Sequence, residues 1–127
     1  MRQWLIDREV ESEEIERLIS FLTENLALDD RAYAVAFTSD KRDLAGWGRD
    51  RIRKVLLRRG VSRTLVEEAL AGEGGESEVD RAVRVLVEKG AELEDDRGRQ
   101  RALGLLARRG YEAEEAYAAI RIASRAA

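Results

Sequence analysis

Nine basic side chains lie within residues 41–63 of this 127-residue chain (Lys41, Arg42, Arg49, Arg51, Arg53, Lys54, Arg58, Arg59 and Arg63), against only Asp43 and Asp50. Five more, Arg97, Arg99, Arg101, Arg108 and Arg109, occupy residues 97–109 with no acid among them. Guanidinium groups at this density bind anions, forking onto carboxylates and phosphates. Bands of opposite sign flank them. Residues 7–30 hold nine acids against Arg8 and Arg17, and residues 64–80 hold six acids and no base, so a net charge of -3 conceals strong alternation. Arg outnumbers Lys 20 to 3, which fits the codon usage of a GC-rich genome before it calls for selection of planar contacts.

Other chemistries are excluded. The chain has no cysteine and no histidine, which removes disulfides, thiol nucleophiles, histidine-dependent triads and Cys/His zinc sites. No phosphate-cradling GxxxxGK[ST] run or dinucleotide fingerprint occurs. The pairs Asp29-Asp30 and Asp95-Asp96 stand just before expected helices, where capping explains them. These residues describe a protein that works by binding, with no cofactor, no metal and no catalytic group. No apolar run approaches the roughly 20 residues of a membrane span, and no signal peptide opens the chain, so a cytoplasmic protein with no membrane partner is expected.

The elements that must carry the cations are helices. Proline is absent, Ala, Leu, Glu and Arg dominate, and no stretch alternates as a strand would. The fold class is all-α. Sliding the chain by 50 residues aligns 30–70 with 80–120 without a gap, and 12 of the 41 positions are identical, among them Asp30-Arg31-Ala32 with Asp80-Arg81-Ala82 and Arg58-Arg59-Gly60 with Arg108-Arg109-Gly110. So many matches define a tandem repeat. A weaker copy at a shift of 51 places Leu5-Ile6 under Leu56-Leu57 and Glu9 where the other copies have glycine.

Three segments follow: a partial first repeat of two helices over 1–28, a three-helix repeat over 29–72 and another over 76–127. By the period, roughly 20 residues of the first repeat are missing, either because the protein lacks that helix or because its N-terminus is shortened. Trp4 would cover the end so exposed.

In the middle repeat the first helix should run from about Asp30, capped by Asp29 or Asp30, to Leu44, with Tyr33, Ala36, Phe37 and Leu44 inward. After the Gly46-Trp47-Gly48 break, the second should span Arg49 to Arg59 with Ile52, Val55 and Leu56 inward and Gly60 at its left-handed end. Ser62 should cap the third, with Leu65, Val66, Ala69 and Leu70 inward. The last repeat should bury Ala82, Val83, Leu86 and Val87, then Leu103, Leu106 and Ala107, then Ala116, Ala119 and Ile120. Such short helices are held by packing, giving a curved, elongated array of about eight, expected to be a monomer.

The candidate docking residues are Trp47, Arg49, Arg51, Arg53, Lys54, Arg58 and Arg59, with Arg99, Arg101, Arg108 and Arg109 at the matching positions of the last repeat. Dipole matching explains cations in a last turn, such as Arg58, Arg59, Arg108 and Arg109. It explains Arg49, Arg51 and Arg53 poorly, because cations in a first turn oppose the dipole. Either acids of a neighbouring helix compensate them, or they form a strip for phosphate or for an acidic protein face. Trp47 either anchors a partner or plugs the gap between repeats.

The ordered set Asp29-Asp30-Arg31-Ala32-Tyr33-Ala34, Phe37, Gly46-Trp47-Gly48, Arg51-Ile52, Leu56, Arg59-Gly60-Val61, Ala69-Leu70 and the closing Leu106-Ala107-Arg108-Arg109-Gly110-Tyr111 resembles the RecX family of regulators of the RecA recombinase. The resemblance implies three tandem three-helix repeats without enzymatic activity. It implies binding to RecA filaments on DNA and inhibition of strand exchange, ATP hydrolysis and coprotease activity, hence a role in DNA repair, recombination and the SOS response. The alternative is a standalone helical module binding DNA phosphates without sequence preference.

Overall fold

A run of 45 residues without glycine or proline opens the chain, and nothing in it interrupts a helical hydrogen-bond ladder. In the computed structural model it forms a single helix, α1 (Arg2–Asp43). Five shorter helices follow: α2 (Arg49–Arg58), α3 (Arg63–Ala71), α4 (Glu78–Glu88), α5 (Asp96–Arg109) and α6 (Ala113–Ala126). The structure describes residues 2–72 and 75–126, with side chains from Arg8 onward, and no strand occurs among them.

The continuous α1 corrects three expectations. It replaces the separate helices expected over 1–28 and 30–44, so six helices are present among the described residues rather than about eight. Asp29 and Asp30 lie inside it and cap nothing. The physical reason is the missing breaker: a capping residue starts a helix only where the preceding chain leaves helical geometry, and no residue before Gly46 makes it do so. Trp4 falls outside the residues whose side chains are described.

The chain divides into two units, residues 1–33 and 34–127. Within the first, Ile15, Leu18, Ile19, Leu22 and Leu26 recur at i, i+3, i+4, i+7 and i+11 along α1 and are all exposed.

The second unit holds two hydrophobic clusters, one per repeat. The first joins Ala34 and Phe37 of α1 to Ile52 and Leu56 of α2, Val61, and Val66 and Ala69 of α3. The second joins Ala82, Val85 and Leu86 of α4 to Ala102 and Leu106 of α5, Tyr111, and Ala116, Ala119, Ile120 and Ala123 of α6. Buried Ile52, Leu56, Val61, Val66 and Ala69 return 50 positions later as buried Ala102, Leu106, Tyr111, Ala116 and Ala119. The sequence repeat is therefore a repeat of packing.

The first helices depart from the pattern. On α1 the inward face is Ala34, Phe37 and Thr38, while Tyr33 and Ala36 are exposed and Leu44, beyond the helix end, is 84% exposed. On α4, Val85 is buried and Val87 exposed, and on α5 Ala102 is buried while Ala107 faces out. On α1 the small Ala34, next to Tyr33, holds the contact, because it lets the backbones approach more closely than Tyr would.

The helix ends follow local chemistry. Ser62 Oγ accepts from Leu65 N, Ser77 Oγ from Asp80 N and Asp95 Oδ1 from Gly98 N, each satisfying an otherwise unpaired first-turn amide. Three helices close with the same paired bonds: Val61 N to Leu56 O and Gly60 N to Leu57 O, Ala91 N to Leu86 O and Gly90 N to Val87 O, Tyr111 N to Leu106 O and Gly110 N to Ala107 O. This is the Schellman arrangement. Asp95→Ala should lower stability by about 1 kcal/mol in urea unfolding, an effect Asp95→Ser should largely restore.

Candidate docking surface

The α2 helix has no side-chain cap of its own, because Gly48 occupies its N-cap. The first-turn amides find partners in the next repeat. Gly48 N donates to Arg109 O at 2.8 Å and Asp50 N to Gly110 O at 3.2 Å, so the carbonyl end of α5 meets the amide end of α2. These ends carry opposite partial charge. Arg49 N donates to Glu78 Oε2 at 3.0 Å. Tyr111 Oη donates to Gly46 O at 2.7 Å in the buried junction, and burial pushes its phenol up to about 12, which keeps that donor in place.

Glu78 is the centre of a largely buried charge network. Its carboxylate accepts from Arg81 Nη1 at 2.6 Å and lies 4.0 Å from Arg42 Nη2. The Arg81 side chain is 3% exposed. Arg42 Nη2 in turn donates to Leu70 O at 2.7 Å and Arg84 Nη2 to Arg42 O at 3.0 Å, which places cations on the carbonyl ends of α3 and α1, where they are favoured. Arg84 also binds Glu76 through Nε at 3.0 Å, holding the Glu76 carboxyl below its ordinary value of 4.5. Arg53 does the same to Glu67. A lowered carboxylate contributes stability that is present above the ordinary value and lost as pH falls through the lowered one. Acid titration of helicity should therefore be less steep below pH 4.5 for Glu76→Gln than for the parent chain.

The candidate cations separate into two groups. Arg49 is paired with Glu112 at 3.2 Å and Glu115 at 3.0 Å, and Arg53 with Glu67 at 2.7 Å and Asp50 at 3.0 Å. Burial nevertheless holds the Glu115 carboxyl above its ordinary value, outweighing Arg49. Arg99 donates to Leu93 O at 2.9 Å and binds Asp96 at 2.6 Å, and Arg109 donates to Ala45 O at 2.7 Å. Arg59 lies over the Phe37 ring at 5.0 Å. Neighbouring acids and carbonyls thus compensate Arg49 and Arg53, the alternative the first-turn dipole argument left open.

The second group is brought together. Arg51, Lys54 and Arg58 of α2 and Arg108 of α5 line one groove of roughly 530 Å³, over Val55, Ala107 and Gly110. Lys54, Arg58 and Arg108 are exposed and make no ion pair among the described residues. The one acid in the lining, Asp50, is engaged by Arg53. Arg51 stacks on the Trp47 ring at 3.9 Å and donates to Arg108 O at 3.2 Å. Trp47 is half-buried, edge-on to Phe37 with ring centroids 6.0 Å apart, with Lys41 Nζ 4.8 Å from its ring centre. It plugs the edge of the first cluster and supports the groove through Arg51. Arg101 is exposed on α5 but does not line the groove.

The sequence reading missed Glu76, Glu78, Arg81, Arg84, Glu112 and Glu115. Arg81 had a signal, since it repeats Arg31, whereas Glu78 falls where the other repeat has Leu28 and carries none.

The architecture defines an all-α protein of tandem three-helix repeats joined end to end through their second helices, with a cationic groove at the join. Residues 29–70 match the family model "RecX, second three-helix domain". These residues are a three-helix domain of the RecX family. The chain is similar to proteins named regulatory protein RecX: 40% identical over 79 residues to that of Clostridium botulinum (strain Alaska E43 / Type E3), covering 62% of this chain and 36% of the relative. For Lactococcus lactis subsp. cremoris (strain SK11) the identity is 32% over 71 residues, covering 55% and 26%. For Clostridium perfringens (strain 13 / Type A) it is 33% over 89 residues, covering 70% and 41%. The chain thus matches well under half the length of these relatives. No solved structure matches it. No helix among the described residues is long and apolar enough to cross a membrane.

Proposed function

We propose that this chain is a non-enzymatic regulator that binds RecA filaments on DNA in the cytoplasm and inhibits their ATPase, recombinase and coprotease activities. The reading draws on the relatives named regulatory protein RecX. The observation that carries it is the groove of Arg51, Lys54, Arg58 and Arg108, which gathers three exposed cations without an ion pair among the described residues, beside Arg49 and Arg53, which are paired. Unpaired, exposed cations on one rigid edge are suited to steering and registering an anionic partner.

The test is a titration of RecA's DNA-dependent ATP hydrolysis with the full chain. Substoichiometric inhibition is expected, and an unchanged rate at every ratio would remove the reading. The triple reversal Lys54→Glu, Arg58→Glu, Arg108→Glu should raise the half-inhibitory concentration on the order of tenfold or more, with helicity unchanged because the three side chains are exposed. A standalone DNA-binding module would instead bind oligonucleotides without RecA, with a steep loss on adding salt.

A further inference from the structure

The cationic strip is short. Arg51, Lys54 and Arg58 stand at i, i+3 and i+7 on one face of α2, so the strip runs about 10 Å along the helix. Its neighbours on the same helix carry no free charge: Arg49 is held by Glu112 and Glu115, and Arg53 by Glu67 and Asp50. Those two arginines and their acids lie on the opposite face of α2, and the one acid in the groove lining is Asp50. A nucleic-acid duplex presents a broad, dense array of phosphates and would bring some of them against Asp50. The floor is apolar as well, since Val55 and Ala107 lie between the cations, and this floor gives phosphates nothing to pack on. A single acidic helix meets neither difficulty. Its carboxylates at i, i+3 or i+4, and i+7 share the pitch of the α2 ladder, and an apolar residue between them would cover Val55 and Ala107.

We infer that the groove between α2 and α5 is a docking site for an acidic helical segment of a partner protein, with carboxylates on Arg51, Lys54, Arg58 and Arg108 and a small apolar side chain on Val55 and Ala107. The inference rests on the regulator reading above and names the kind of surface that reading would engage.

The experiment measures binding of the full chain by fluorescence anisotropy to four labelled probes: a 20-residue Ala-rich helical peptide with Glu at i, i+3 and i+7 around one Leu, the same peptide with Gln for Glu, a short single-stranded oligonucleotide and a short duplex. The Glu peptide should bind at least about tenfold tighter than the Gln peptide and tighter than either oligonucleotide. Lys54→Glu, Arg58→Glu, Arg108→Glu should abolish that preference. Lys54→Gln, Arg58→Gln, Arg108→Gln should weaken it, and Arg121→Glu, exposed on α6, should leave it intact. Equal binding of Glu and Gln peptides, or tighter binding of an oligonucleotide, overturns the inference. The ATPase titration is independent: a chain that inhibits RecA but prefers the oligonucleotide retains the regulator reading and loses this one, and a chain that prefers the Glu peptide but leaves RecA unaffected does the reverse.

Discussion

Gly110→Ala should destabilise the chain by roughly 3–5 kcal/mol, whereas Gly60→Ala, at the equivalent position of the preceding repeat, should cost only about 1 kcal/mol. Both glycines adopt left-handed backbone, with φ of 98° and 90°, so both substitutions carry the same local strain. They differ in surroundings. A methyl group on Gly60 meets open space, whereas one on Gly110 would collide with the backbone and Cβ of Arg51. Those atoms belong to α2 and cannot swing aside as a side-chain tip can. The helix must move, which adds about 1–3 kcal/mol of overpacking and weakens the bonds of Gly48 N to Arg109 O and Asp50 N to Gly110 O, each worth about 1 kcal/mol. Urea unfolding of the two variants side by side checks this. Equal losses would mean that the two helix ends do not hold the repeats in register.

Glu78→Ala should be comparably damaging, at about 3–5 kcal/mol, the cost of stranding a buried charge. The carboxylate serves Arg81, Arg42 and the Arg49 amide together, and the Arg81 side chain has almost no access to water. Glu78→Gln keeps the shape and an acceptor oxygen but removes the charge, so it should recover part of the loss. Replacing Glu78 and Arg81 together by Leu and Met should recover more, because a buried pair swapped for apolar groups often costs little. If Glu78→Ala unfolds at the same urea concentration as the parent, Glu76, whose carboxylate lies 3.6 Å from Arg81 Nε, must suffice to hold the Arg81 charge.

Much of the fold was legible because the determinants were local. Ser62, Asp95 and Gly60 act within four residues of their own position, and the period of 50 transfers one repeat's core to the other. What misled was also local. Asp29-Asp30 looks like a start signal, but a cap competes with helix continuation, and with no glycine or proline nearby continuation won. The charge network was illegible for the opposite reason. Glu78 acts on Arg49, 29 positions earlier, and no pattern in a single chain announces such a pairing. The site was half readable. The cations were found as a band, but whether a given arginine is structural depends on which acid sits across the join. Thus Arg49 and Arg53 are occupied while Lys54 and Arg58, on the same short helix, are exposed without an ion-pair partner.

The meeting of α5 and α2 end to end also governs how the molecule comes apart. The opening amides of α2 have their acceptors in the following repeat, so the middle helices cannot fray separately from it. Hydrogen exchange at Gly48 and Asp50 should then proceed only through cooperative loss of both clusters, at the rate of the slowest core amides. The pair 34–72 and 76–126 would behave as one foldon, and a protease that nicks near Gly75 should release no persistent fragment of either half.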